Sequence, residues 1–252
     1  MIGWRLLCGG LVFVAVSTVA AAGLASLGGK LTPLASAIAL TLGALAGIFA
    51  ARTAAAPRQK ITLADSILFL VFALAAGRAF LWVIYSEGPN LEILSPHNLG
   101  DMALHLNLIH RFANGGTFWP ENPFLAGAIF PYHPGMDLWN AVLRIAGVPV
   151  YEGLRWAGLL GSAAAAAALW RWGRGFAVAA FLFAGGLGAI TFVQTGALDG
   201  MLDNVAWKNT LLAMFVTQRG LLYSLPAGLV LMTVWRAQLR GDADGPKLPV
   251  LA

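Results

Sequence analysis

Charge is what this sequence has least of. Only 11% of its 252 residues are charged, against 59% hydrophobic, whereas a soluble domain usually carries about 25% charged residues. That excludes an ordinary soluble globular chain. There is one cysteine, Cys8, inside an apolar run, so no disulfide framework is possible. No basic cluster with interleaved aromatics occurs, and the net charge of +5 therefore does not point to nucleic acid. The alternating segments of about ten residues that build a membrane β-barrel are missing, and so is any internal repeat. What the chain has instead are continuous apolar runs of about 20 residues, the length that crosses a bilayer as a helix. The expected fold class is all-α: a polytopic transmembrane helical bundle of about six spans, a single integral membrane domain over 1–252.

The spans are predicted at about 6–28, 32–51, 63–85, 153–171, 175–196 and 215–236. The first resembles a signal peptide in having Arg5, an apolar run and then small residues, but it is long for one and reads as a retained span. Thr62 and Asp65 have the spacing of a capping box at the start of the third. Nine of the sixteen basic residues, Arg5, Arg52, Arg58, Lys60, Arg171, Arg174, Arg236, Arg240 and Lys247, fall at one set of span ends. The positive-inside rule then places the N-terminus in the cytoplasm and the 86–152 and 197–214 loops outside. Glycine and alanine are dense in the spans, which lets helices approach closely and says nothing about function. After Arg240 a polar turn with Pro246 and Pro249 leads back into apolar residues. Segment 237–252 therefore reads as a cytoplasmic tail, or as a loop about to enter a further span of a longer protein.

All four histidines lie between His97 and His133 in the long outer loop, together with Glu87, Glu92, Asp101, Glu121 and Asp137. Ionisable groups are costly in hydrocarbon, so a chain that gathers them in one loop has a candidate site there. Segment 100–114 has Met102, Leu106, Ile109 and Ala113 at helical spacing, and Asp101 and His105, four apart, share a face. Segment 136–147 repeats the pattern with Leu138, Ala141, Val142 and Ile145. Two short helices lying on the outer membrane surface are expected. Asp101 is a candidate catalytic base or equally a helix cap, and His105 its partner. Asp101, His105 and His133 form a weak candidate metal set, since two ligands four apart plus a distant histidine is a known pattern. Tyr132, His133 and Asp137 make a second polar cluster with a candidate substrate-contact role. Gln218 and Arg219 stand at the head of the last apolar run, where arginine either snorkels or meets an anion such as phosphate. Asp199 and Asp203 could face Asp101 from the other outer loop.

The run LGDMALHLNLIHRFANGGTFWPENP after a span, followed by YHPGMDLWNAVL, resembles membrane glycosyltransferases of the GT-C class, the superfamily of protein O-mannosyltransferases and aminoarabinose transferases. The resemblance covers roughly 63–236. It implies a polyprenyl-phosphate sugar as donor, transfer on the outer face of a bacterial inner membrane, and in some members a divalent metal. It also implies a catalytic acid at the start of a surface helix in the first large outer loop, the position of Asp101. Members commonly carry two adjacent acids where this chain has Gly100 and Asp101. Two other classes stay open: a transporter, disfavoured by the shortage of polar residues at mid-span, and a non-catalytic assembly or scaffold subunit.

Overall fold

The computed structural model describes residues 2–88, 90–93, 99–122, 125–130, 132–184, 201–202, 205–206, 210–242 and 245–247. Seven α-helices dominate: α1 (Ile2–Gly28), α2 (Pro33–Thr53), α3 (Leu63–Leu81), α4 (Leu99–Ala113), α5 (Gly135–Ile145), α6 (Val150–Phe183) and α7 (Leu221–Leu239). Two small antiparallel pairs accompany them, β1 (Ile84–Glu87) with β2 (Asn90–Ile93), and β3 (Met201–Leu202) with β4 (Val205–Ala206).

Among the described residues three helices are long and apolar enough to cross a membrane, Gly3–Gly28, Pro33–Thr53 and Leu63–Leu81. The expected six are not confirmed among these residues. The first half of α6 is diluted by glycine and alanine and carries Glu152, Arg155 and Arg171, while α7 contains Tyr223, Ser224, Pro226, Arg236 and Gln238. The second half of the fifth expected span, from residue 185, lies outside the described residues.

Helices α1 and α2 form a hairpin. Gly29, at a positive φ of 73°, turns the chain out of α1. Thr32 then caps α2 by accepting from the Ala35 backbone N–H at 3.1 Å, with Pro33 in the first helical position. Their seam is lined by Gly9, Gly43 and Gly47: a Cβ at Gly47 would lie 2.8 Å from the Gly9 carbonyl oxygen. Contact this close is what holds helices together where lipid removes the hydrophobic drive to associate. Helix α3 opens with the expected capping box: Thr62 accepts from the Asp65 N–H, and the Asp65 carboxylate accepts from that of Thr62 at 3.0 Å.

Helix α3 is shorter than the expected 63–85. It stops at Leu81, and the β-branched Val83 and Ile84 lead into the β1–β2 hairpin, which turns at Gly88 with φ 59° and pairs Ile84 with Ile93. Helix α6 is interrupted at Gly173 and at Arg174 (φ 59°, ψ −155°). Before the break Trp170 meets Phe69 and Gly158 abuts Phe80. After it Gly175 lies against Asp65, and Phe181 stacks on Phe72 at 5.9 Å. Along α3 the contacts therefore descend and then climb, so the chain reverses at 173–174, the boundary expected between the fourth and fifth apolar segments.

Helices α4 and α5 close one end of this bundle. Met102, Ile109 and Phe112 of α4 and Leu138, Ala141 and Val142 of α5 are fully buried, in one cluster with Ala21 and Ala25 of α1, Leu31 and Leu154. The segment after α4 is tied to the α1–α2 turn by the Phe118 N–H donating to the Gly29 carbonyl at 2.8 Å. Arg155 ties the hairpin to α6, donating to Glu152 at 2.8 Å and to the Ile84 carbonyl at 3.0 Å.

Candidate functional site

Both short helices of the cap carry an ionisable residue on their apolar face. In α4, His105 lies three residues from Met102, four from Ile109 and seven from Phe112, all buried. In α5, Asp137 lies four residues from Ala141. Packing these faces together buries both polar groups, His105 to 5% and Asp137 to 2% exposure. Burial of this kind costs heavily unless the groups meet, and they do: the His105 Nδ1 lies 2.9 Å from each Asp137 carboxylate oxygen. With Asp137 ionised, Nδ1–H is the donor, which leaves Nε2 as the lone-pair nitrogen. Tyr132 presents its ring at 6.1 Å, edge to face with His105, and stacks on Phe130.

Arg219 completes the group from a distant part of the chain. It sits in the turn between a π-helical segment (Thr210–Phe215) and α7, at the head of the last apolar run, as expected. The turn places it at 5% exposure. Its Nη2 donates to the Met102 sulfur at 3.2 Å, and its Nε has no partner among the described residues. A thioether is a weak acceptor, and no carboxylate there lies within ion-pair distance of this guanidinium. Asp137, Tyr132 and Asp101 all act on it electrostatically. The same groups act on the Tyr132 hydroxyl: burial pushes it above its ordinary value, Asp137 and Asp101 add to that, and Arg219 opposes. Tyr132 therefore keeps its proton at neutral pH and can donate a hydrogen bond.

Asp101 stands apart. It lies in the first turn of α4, as expected, and is exposed, while His105, one turn on, is buried in the cap. Asp101 and His105 share a face of α4, as expected, but differ in burial. Four residues advance a helix by about 400°, and that 40° offset is enough to put one on the rim and the other inside. His133 is exposed, with its ring 6.4 Å from Tyr132, and Gln218 is exposed beside buried Arg219. Among the described residues no three histidine, cysteine or acidic side chains gather as a metal site, so Asp101, His105 and His133 do not form the expected set; His105 already commits Nδ1 to Asp137. His97, Asp199 and Asp203 lie outside the described residues.

The structure thus joins His105, Asp137, Tyr132 and Arg219, with Asp101 at their edge. The His105–Asp137 contact was the one missed by sequence reasoning. Its signal was present: each residue interrupts an otherwise apolar helical stripe. A cavity lined jointly by Asp101, His105 and Arg219 was expected; a cavity of about 690 Å³ lies elsewhere, between α1, α5, α6 and α7. Chemically, the group offers an oriented imidazole, a phenol, an underused buried cation and an exposed carboxylate. No family model, curated protein or solved structure matches this chain.

Proposed function

We propose that the protein is a membrane glycosyltransferase of GT-C type, with about six spans and the α4–α5 cap on the outer face, that takes a sugar from a polyprenyl-phosphate donor. The observation that carries this reading is Arg219: a buried guanidinium whose one side-chain hydrogen bond among the described residues goes to a thioether. Such a cation is suited to an incoming anion, and its planar fork matches phosphate. In the transfer, the Asp101 carboxylate takes the proton of the acceptor hydroxyl while that oxygen bonds to the anomeric carbon. The bond from that carbon to the phosphate oxygen breaks, and Arg219 stabilises the negative charge left on the polyprenyl phosphate. The His105–Asp137 contact holds the first turns of α4 on α5 and so positions Asp101.

A second assignment within the same reading is favoured by the 2.9 Å contact itself. An imidazole whose Nδ1–H is fixed by a carboxylate is arranged to accept a proton at Nε2, which would make His105 the base and Asp137 its orienting partner. The full-length protein assayed with a radiolabelled polyprenyl-phosphate hexose separates the two. Asp101→Asn is expected to cut release of polyprenyl phosphate by about 10²–10⁴-fold, with folding unchanged, and Arg219→Ala to weaken donor binding. Near-normal release by Asp101→Asn with loss in His105→Gln moves the base to His105. Release unaffected by either substitution, or by Arg219→Ala, ends the glycosyl-transfer reading at this site.

A further inference from the structure

The end of the bundle remote from α4 and α5 carries a second polar feature. Residues 56–61, between α2 and α3, run past the start of α1 and the Trp170–Arg171 turn of α6, enclosing a cavity of about 600 Å³. Arg58, Lys60 and Arg171 line it, and among the described residues none of the three has a carboxylate within 4 Å. Arg171 stacks over the Trp4 ring at 5.1 Å and donates to the Pro57 carbonyl at 3.1 Å, while its Nε lacks a partner there. Trp4 also lines the cavity. It is 5% exposed, and its indole N–H is buried without an acceptor among the described residues. A buried donor left unmade costs about 1–3 kcal/mol, so cations and idle donors together describe a place for an anionic oxygen group.

The remaining wall is apolar, from Leu7, Ile61, Phe69 and Ala167. Gly3, Leu7 and Ala167 also line the 690 Å³ cavity, so the two cavities adjoin across these residues. That cavity follows α1 from Gly3 to Val14, a run of about 16 Å at 1.5 Å per residue. Half of a typical hydrocarbon core of about 30 Å is about 15 Å. Leu6, Trp156 and Leu160 at its walls are exposed apolar side chains, so it opens onto the surface that lipid would cover.

We propose that the two cavities hold one anionic phospholipid. Its phosphodiester lies among Arg58, Lys60, Arg171 and the Trp4 indole N–H, and one acyl chain lies along α1. A zwitterionic headgroup would add a cation to a cationic site, and a free phosphate would leave the groove unused. The inference is independent of glycosyl transfer, because none of these residues belongs to the Asp101–Arg219 group.

Native mass spectrometry of the detergent-purified full chain tests it, with phosphatidylglycerol and phosphatidylcholine of matched acyl chains as probes. One phosphatidylglycerol should be retained with about tenfold preference. Lys60→Gln with Arg171→Gln should remove that preference, while Arg171→Lys should keep most of it. Gly10→Leu should weaken both lipids by filling the groove, since a Cβ there meets nothing within 4 Å and the helix is not disturbed. Arg111→Gln, at the other end, should change nothing. Circular dichroism on each variant confirms the fold. Equal retention of both lipids by the wild type, or wild-type retention by the double variant, overturns the proposal. Displacement of phosphatidylglycerol by millimolar inorganic phosphate, with no effect of Gly10→Leu, would mark a soluble-anion site and overturn it as well.

Discussion

The two ends of the bundle differ in how deeply they bury their cations. At the α4–α5 end, His105, Asp137 and Arg219 are drawn inside a packed cap, and opposite charges share the interior. At the far end Arg174 lies 3.8 Å from the buried Asp65 carboxylate, but the cations stay nearer the rim and face aromatic rings: Arg171 over Trp4, Arg174 over Trp170 at 4.1 Å, and Arg236 over Trp172 at 4.3 Å. There, guanidinium groups also donate to loop carbonyls, Arg5 to Ala54 and Arg174 to Lys60. A cation on a ring face keeps part of its hydration and is worth about 0.5–1 kcal/mol when exposed. A buried carboxylate held by one donor has no such reserve, and losing that donor strands it. The first end is thus brittle and the second tolerant.

The sharpest test of that contrast is His105→Ala. It leaves the Asp137 carboxylate buried without its donor and should cost about 3–5 kcal/mol, read as a large fall in melting temperature in detergent. A loss no greater than that of Arg236→Ala would break the comparison. Next in size, Gly47→Val would push a side chain into the Gly9 backbone, which cannot yield, and should cost about 1–3 kcal/mol. Because the α1–α2 seam joins the two ends, amide exchange should rise at both Leu31 and Ala54. At the tolerant end Thr62→Ala removes the cap of α3 and should cost about 1 kcal/mol, with exchange confined to the first turn. Smallest is Glu152→Gln. The Glu152–Arg155 pair is partly exposed, so its loss should cost under about 0.5 kcal/mol and vanish in high salt.

Local features were legible in the sequence. The Thr62–Asp65 box, both short loop helices, Asp101 in a first turn and the break near 172–174 follow from spacing within a few residues. Pairings across distance were not. His105 and Asp137 are 32 positions apart, and Arg219 is 117 from Met102. Periodicity shows that a polar residue lies on an apolar face but not what waits opposite. The π-helical segment before α7 was equally hidden, because TLLAMF has the composition of an ordinary helix. The burial of Arg219 in the turn that follows was hidden with it.

The Arg174 turn also sets an order of assembly. Glycines on both sides ease a backbone conformation that an arginine rarely adopts. The side chain then reaches Gln59 and Lys60, 115 and 114 positions earlier. The α1–α2 hairpin can close before residue 60 is synthesised, whereas α3 must wait for residues 158–181 to cover Phe72 and Phe80. A chain ending near residue 62 contains every residue of the Gly9–Gly47 seam. One ending near 145 would still carry α3 with one face bare, and the fastening of that face to the early loop comes only when Arg174 arrives.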